Sequence, residues 1–249
     1  TCAVAFWLLV WHVVSLCVGS ELVLVSPVKV VQTLFTVIFD PDFLKTVWYS
    51  AARILGGFFT ALTLGTVLGW VASRFWVVET LLRPITAVIK ATPVASFIIL
   101  VLLWFSGKNL SVIISMLMVF PVIYMNVLEG IRSADEKLLE MAQVFRLSVS
   151  KKLLYIYLPA VAPFFVSACS VSLGLCWKSG IAAEVIGTPD GSIGAVFYQA
   201  KIFLQTSELL AWTVVVVAVS VAFEKLFMFL LRLVLKKLKM EDVLNGKRA

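Results

Sequence analysis

Four stretches of this chain, Ile54 to Ser73, Ala91 to Ser106, Leu110 to Leu128 and Leu158 to Trp177, run without a charged side chain. Most approach the ~20 residues that a helix needs to cross a ~30 Å hydrocarbon core. In lipid the backbone has no water to bond, so a spanning segment must be a helix or a strand of a closed barrel. Continuous apolar runs of this length, without alternation, are helices. Composition agrees: 61% of the residues are hydrophobic and 14% charged, where soluble domains have about half and about a quarter. The expected fold class is therefore an all-α integral membrane protein.

Two further stretches are less clean. Ala3 to Val18 is short, and Leu209 to Leu231 is interrupted by Glu224 and Lys225. Counting both gives six crossings in a single domain over residues 1–249, since no repeat, low-complexity tract or long linker divides the chain. The "CVGS" after the first run has the look of a leader-peptide cleavage site; an uncleaved first helix is the expectation, because multispanning chains seldom need a removable signal.

With six alternating spans and residues 129–157 placed in the cytoplasm, the inner segments carry Arg74, Arg83, Arg132, Lys137, Arg146, Lys151, Lys152, Arg232, Lys236, Lys237, Lys239, Lys247 and Arg248. The outer ones carry only Lys29, Lys45, Arg53, Lys108, Lys178 and Lys201. This asymmetry fits the positive-inside rule with both termini cytoplasmic. The net charge of +7 is clustered beside apolar runs, where anionic inner-leaflet lipid attracts it, so lipid rather than nucleic acid is the expected partner.

Cys2, Cys17, Cys169 and Cys176 lie in apolar runs with no His or carboxylate at ligand spacing, which makes them small buried hydrophobes rather than a metal or redox site. His12 is likewise given a packing or interface role. Ser26 and Pro27 supply an N-cap and a first-turn proline for a helix over "SPVKVVQTLFTVI", which "DPD" at 40–42 stops. "DFLKTVWYSAARILGG" then reads as an amphipathic helix on the outer surface, either bracing the bundle or meeting an external partner. Gly57, Ala61, Gly65 and Gly69 form a ridge of small residues that invites close helix packing. Pro84, Pro93 and Pro121 predict kinks or breaks.

Between the fourth and fifth spans lies a patterned polar segment, 133–158. "SADE" at 133–136 has the form of a capping box and starts a helix near Ala134. Leu138, Met141, Ala142 and Phe145 form one apolar stripe on it. Ser148 or Ser150 caps a second helix that lasts until Pro159 and the fifth span. Two short helices around a tight corner make a knob whose apolar stripe needs a covering surface, either a partner or its own bundle.

Those residues resemble the inner-membrane permease subunits of binding-protein-dependent ABC importers. The signature of that family reads Glu-Ala-Ala, three residues, Gly, nine residues, Ile, any residue, Leu-Pro. Glu140, Met141 and Ala142 open it here, and Ile156, Leu158 and Pro159 close it at the right spacing. Arg146 stands at the glycine position, so the corner is either opened or strained there, and Arg146 could add a charge contact to a partner. "SPVKVVQTL", "SAARILGGF", "WFSG", "EGIRSADEKLLEMA" and "AAEVIGTPDGSIG", in this order, are similar to the branch that takes up nitrate, sulfonates and taurine, which also includes importers of vitamin precursors.

The resemblance implies a type I ABC importer permease fold, in a bacterial inner membrane, with 133–158 as the coupling helix seated in a cytoplasmic ATPase. It also implies an extracytoplasmic solute-binding protein. The chain has no "GxxxxGK[ST]" phosphate loop, so ATP and Mg belong to the partner ATPase dimer, and this chain is expected to be a transport subunit, with no bound cofactor, and not an enzyme. An ATPase closing on two nucleotides calls for two permease copies about a two-fold axis, a homodimer being the simpler arrangement. The rival is a stand-alone channel or secondary transporter whose inner loop merely braces the bundle.

Polar residues inside the bundle are candidates for the path: Thr92 and Ser96 near the third span, Ser115 on the fourth, Ser167, Ser170 and Ser172 on the fifth, and Glu184 after it, in an outer gate or re-entrant loop. Lys90 and Lys178 could attract an anion or snorkel to the interface. Gly187, Gly191 and Gly194 read as turn formers, and Glu224 and Lys225 as a self-neutralising packing pair.

Overall fold

The structure, a computed structural model, describes residues 2–20 and 23–237, the side chain of Cys2 excepted. Lys239, Lys247 and Arg248 lie outside the described residues. Every regular element among the described residues is helical: α1 (Cys2–Val18), α2 (Pro27–Ile38), α3 (Phe43–Arg74), α4 (Trp76–Ala91), α5 (Val94–Leu102) and α6 (Gly107–Arg132). There follow α7 (Glu136–Val144), α8 (Val149–Lys152), a π-helical turn (Leu153–Tyr157), α9 (Leu158–Gly187), α10 (Ile193–Ile202) and α11 (Thr206–Lys237).

Among the described residues, four rods are long and apolar enough to cross a membrane: α3, α6, the continuous run Val149–Gly187 and α11. The pair α4 and α5 makes a fifth, broken one, bent by 106°. The stretch expected to cross from Ala91 to Ser106 is thus only a nine-residue helix. Pro93 has no amide to donate and disfavours helical backbone in the residue before it, and Thr92 is extended at ψ 132°. At 17 residues, α1 is a shorter apolar helix, so four full spans and one broken span stand where six whole ones were expected.

Ser26 caps α2 as its sequence predicts, its Oγ accepting from the Lys29 amide at 3.3 Å, and α2 ends before Asp40. The expected surface helix over 42–57 is not a separate element. It runs unbroken into the second apolar stretch as the 32-residue α3. One buried stripe, Thr46, Ser50, Ile54, Gly57, Ala61, Gly65 and Gly69, continues through both halves; no proline interrupts it, and a helix keeps going while its packing face does.

α6 lies between α3 and α9 and packs along both, while α11 closes against α2, α9 and α10. The core between them holds Ile54, Phe58, Val119, Ile123, Leu173, Cys176 and Trp177. In lipid, burying apolar surface gains little over leaving it against acyl chains, so close van der Waals approach drives helix association. The α3 ridge supplies that approach. A Cβ at Gly65 would stand 2.9 Å from Ile123 Cβ, and one at Gly69 would stand 3.0 Å from the Tyr124 carbonyl oxygen. Cys169 and Cys176 are buried as expected, but Cys17 is exposed, on the outward side of a helix whose main neighbour is α2.

Candidate functional site

The polar segment folds into the expected knob, with different end groups. Its first helix starts two residues later than Ala134. Asp135, not Ser133, is the N-cap, its carboxylate accepting from the Lys137 amide at 2.8 Å, while Ser133 Oγ donates back to the Gly130 carbonyl at 2.9 Å. Within "SADE" the aspartate is two residues nearer the helix than Ser133 and places its carboxylate at the positive end of the helix, so it takes the cap.

The corner resolves the two possibilities left open for Arg146. Its φ is +49°, the left-handed backbone that glycine adopts at no steric cost. Around it the Leu147 amide donates to the Ala142 carbonyl at 2.9 Å and the Arg146 amide to Gln143 at 3.0 Å. This is the Schellman pattern, with Arg146 at the position usually given to glycine. The corner is kept and Arg146 is strained.

Ala142, Ala134 and Ile156 are buried together inside the corner, with Leu139, Leu147 and Tyr157 packed around them. The stripe read from the sequence splits accordingly: Ala142 faces in, while Leu138 (43% exposed), Met141 (48%) and Phe145 (71%) face out. Glu140 and Arg146 are exposed beside them. Ser148 sits at the N-cap position of α8 without a side-chain cap bond. Beyond it the helix does not stop at Pro159: the π-helical turn absorbs the proline's missing amide, and the rod continues into α9. Leu158 packs near Ala162, Leu235 and Leu231 at the foot of that rod.

The candidate path residues are not gathered in one place. Thr92 Oγ1 donates to its own helix at Val88, 2.8 Å away; Ser96 and Ser167 are exposed. Ser115 donates across to the Cys176 carbonyl at 3.1 Å, and Ser172 is buried with its Oγ unpartnered. Ser170 Oγ donates to Glu224 Oε1 at 3.1 Å, so Glu224 is held by α9 rather than by neighbouring Lys225. Lys178 is exposed.

Glu184 is fully buried. Its Oε2 accepts from Ser50 Oγ at 2.6 Å and from the Gly194 amide at 3.4 Å, and Ser50 Oγ accepts from the Ile193 amide at 2.9 Å. The carboxyl thereby ties α9 to α3 and to the N-terminus of α10, where the helix dipole favours negative charge. Gly194 admits this: a Cβ there would collide with the Glu184 backbone and Cβ. Gly191, at φ +75°, turns the chain between α9 and α10, and Gly187 packs against Gly107. Ser50 was not singled out from the sequence; a small polar residue on the buried stripe of α3 was its only signal.

On the other side of α6 lies a groove of about 350 Å³ against α4 and α9, lined by Lys90, Pro121, Met125, Asn126, Glu129 and Phe164. Below it Arg132 forms an ion pair with Glu79 at 2.5 Å, joining α6 to α4.

The sequence pattern of the family described as "Binding-protein-dependent transport system inner membrane component" matches residues 57–240. The chain belongs to that family. Its relatives include an aliphatic sulfonates transport permease protein of Bacillus subtilis strain 168, 29% identical over 85% of this chain and 77% of the relative. The taurine transport system permease protein of Escherichia coli K12 is 27% identical over 86% of this chain and 80% of its own length. A nitrate import permease protein of Synechococcus elongatus is 25% identical over 83% of this chain and 84% of its own. This permease is an ABC transporter component of the inner membrane, a transport subunit in a family of such subunits, in the sulfonate, taurine and nitrate branch that the sequence resembles.

Proposed function

We propose that this chain is the pore-forming permease subunit of an ATP-driven importer. It moves a small solute of the sulfonate, taurine or nitrate kind inward by alternating access, as the names of its relatives suggest for them, with vitamin-precursor-like solutes as the other class. The observation that carries the reading is the knob: a rigid corner, closed inside by Ala142 and Ile156, that leaves Met141 and Phe145 facing out beside Glu140. An apolar face on a structured polar corner fits a protein surface better than water.

In this reading Glu140, Met141 and Arg146 meet a cytoplasmic ATPase dimer that holds ATP and Mg, and Ala142, Ile156, Leu158 and Pro159 transmit its movement into α9. Supporting the transmission, the knob's second helix and the fifth apolar run are one continuous rod. Two copies of this permease stand about a two-fold axis, fed by an extracytoplasmic binding protein. The domain is single, with six crossings when α1 counts as one, and both termini face the cytoplasm. The subunit hydrolyses nothing, binds no cofactor of its own and no nucleic acid, and contacts lipid along α1 and α11.

The test is capture of a P-loop ATPase by the membrane-inserted permease. Wild type retains it, and Glu140→Lys releases it with the helical fold intact. Uptake that continues with no ATPase present would instead point to a stand-alone channel or secondary transporter.

A further inference from the structure

Lys90 is the one charge on the second half of α4, the segment after Pro84, and its Nζ contacts Met125 Sδ at 3.5 Å. Met125 lies seven residues from Arg132 at the end of α6, which at ~1.5 Å per residue sets the ammonium about 10 Å above that level. A cation that deep is costly unless it faces a partner charge or a watered cavity. Lys90 makes no ion pair among the described residues, and the groove it lines also holds Asn126 and Glu129. A second groove continues from it along α4, lined by Arg83, Thr86, Lys90 and Met125.

Nor does Glu129 neutralise Lys90. It also lines a smaller cavity of about 130 Å³ with Arg83 and Arg132, and Arg132 is already bonded to Glu79. Among the described residues, two unpaired cations, Lys90 and Arg83, therefore face this connected space against one free carboxylate. The break after Ala91 also sets non-helical backbone beside this groove, and at membrane depth such backbone is tolerated where it is buried in protein or lines a cavity.

We propose that the groove between α4, α6 and α9 is an anion site on the solute path, with Lys90 as the residue that attracts an oxyanion head group and Asn126, whose amide gives one N–H to the Val122 carbonyl at 2.8 Å, offering its other N–H as a neutral donor. This rests on the importer reading only for the claim that the groove belongs to the path. The groove's volume lies at the small end of the range for ligand pockets, which suits a short sulfonate or an inorganic oxyanion. An anionic lipid head group has the same chemistry, and the experiment separates the two.

The experiment uses the permease with Cys2, Cys17, Cys169 and Cys176 replaced by alanine and Asn126→Cys added, co-reconstituted with its ATPase in phosphatidylcholine vesicles. The rates of labelling by an anionic sulfonatoethyl and a cationic trimethylammonioethyl methanethiosulfonate are compared. The anionic-to-cationic ratio is expected to fall about tenfold when Lys90→Gln is introduced, the effect of one unit charge at close range in a partly watered site. An introduced thiol that neither reagent reaches, or a ratio that Lys90→Gln leaves unchanged, overturns the proposal. If adding phosphatidylglycerol abolishes the Lys90 effect, the site holds lipid and the solute assignment is overturned.

Uptake, with the solute-binding protein supplied at saturating concentration, tests the path separately, using whichever of labelled taurine, ethanesulfonate, nitrate or bicarbonate the wild-type complex accumulates. Lys90→Gln is expected to raise KM about tenfold. ATPase-dependent uptake with an unchanged KM removes the groove from the path while leaving the importer reading intact. ATPase-independent uptake overturns the importer reading, while the labelling ratio still decides the anion site.

Discussion

Glu184 on α9 accepts a 2.6 Å hydrogen bond from Ser50 on α3, and Ser50 in turn accepts from the first amide of α10. Two side chains 134 positions apart thus bolt three helices together in a fully buried setting. Breaking one partner strands polar groups that have no water to turn to. Glu184→Ala is expected to cost about 2–3 kcal/mol, read as a drop of several degrees in thermal unfolding in detergent. Glu184→Gln keeps an acceptor for Ser50 and should lose distinctly less. Equal melting of wild type and Glu184→Ala would remove the bolt from the account of this fold.

A second expectation concerns two glycines of α3. Gly65 faces α6 with no room for a Cβ, whereas Gly56 has nothing within 4 Å. Gly65→Leu should prevent the α3–α6 approach and abolish recovery of folded protein. Gly56→Ala should be neutral or gain about 0.5–1 kcal/mol from reduced chain entropy in a helix interior. Expression and monodispersity in detergent check both; if Gly65→Leu behaves like wild type, the ridge is not what sets the interhelical distance.

These residues show what the sequence made legible. The apolar runs announced α3, α6, α9 and α11, and the capping residues and apolar stripe over 133–158 announced the knob, because both are local patterns. The small-residue ridge was visible for the same reason. The continuity of α3 through Gly57 was not, since an amphipathic surface helix and the start of a buried one share the same periodicity until a neighbour is in place. The Ser50–Glu184 contact and the Lys90 groove depend on which helix faces which across more than thirty residues of chain, information that no local window carries. Asp135 displaced Ser133 as the cap because both are good caps and only the final backbone path chooses between them.

At Arg146 the strain is local and therefore separable. A non-glycine residue in left-handed backbone costs about 1 kcal/mol or more, and its φ is +49°. Arg146→Gly should stabilise the knob by about that amount and slow amide exchange at Leu147, whose amide closes the Schellman turn onto Ala142. Arg146→Ala, which keeps the strain, should not. Hydrogen exchange resolved to the 145–148 peptide distinguishes them, and faster exchange in Arg146→Gly would contradict the strain.

Phe145 and Ala142 lie three residues apart at the C-terminal end of α7 and face opposite ways, and that contrast separates docking from folding. Phe145 is 71% exposed and Ala142 is fully buried. In the proposed complex Phe145 passes from water to a protein surface, a transfer worth about 1.5–3 kcal/mol when complete. Phe145→Ala should therefore weaken ATPase binding roughly tenfold to a hundredfold, while the melting of the permease alone stays within about 0.5 kcal/mol of wild type. Ala142→Leu should do the reverse in order: it overpacks the corner with Ala134 and Ile156, costing about 1–3 kcal/mol of local stability, and affects the ATPase only through the damaged knob. Titration of the ATPase onto permease in nanodiscs, set beside thermal unfolding of the same variants, measures both quantities. If Phe145→Ala binds the ATPase as tightly as wild type, Phe145 is not part of the docking surface, and the contact must rest on Glu140, Met141 and Arg146.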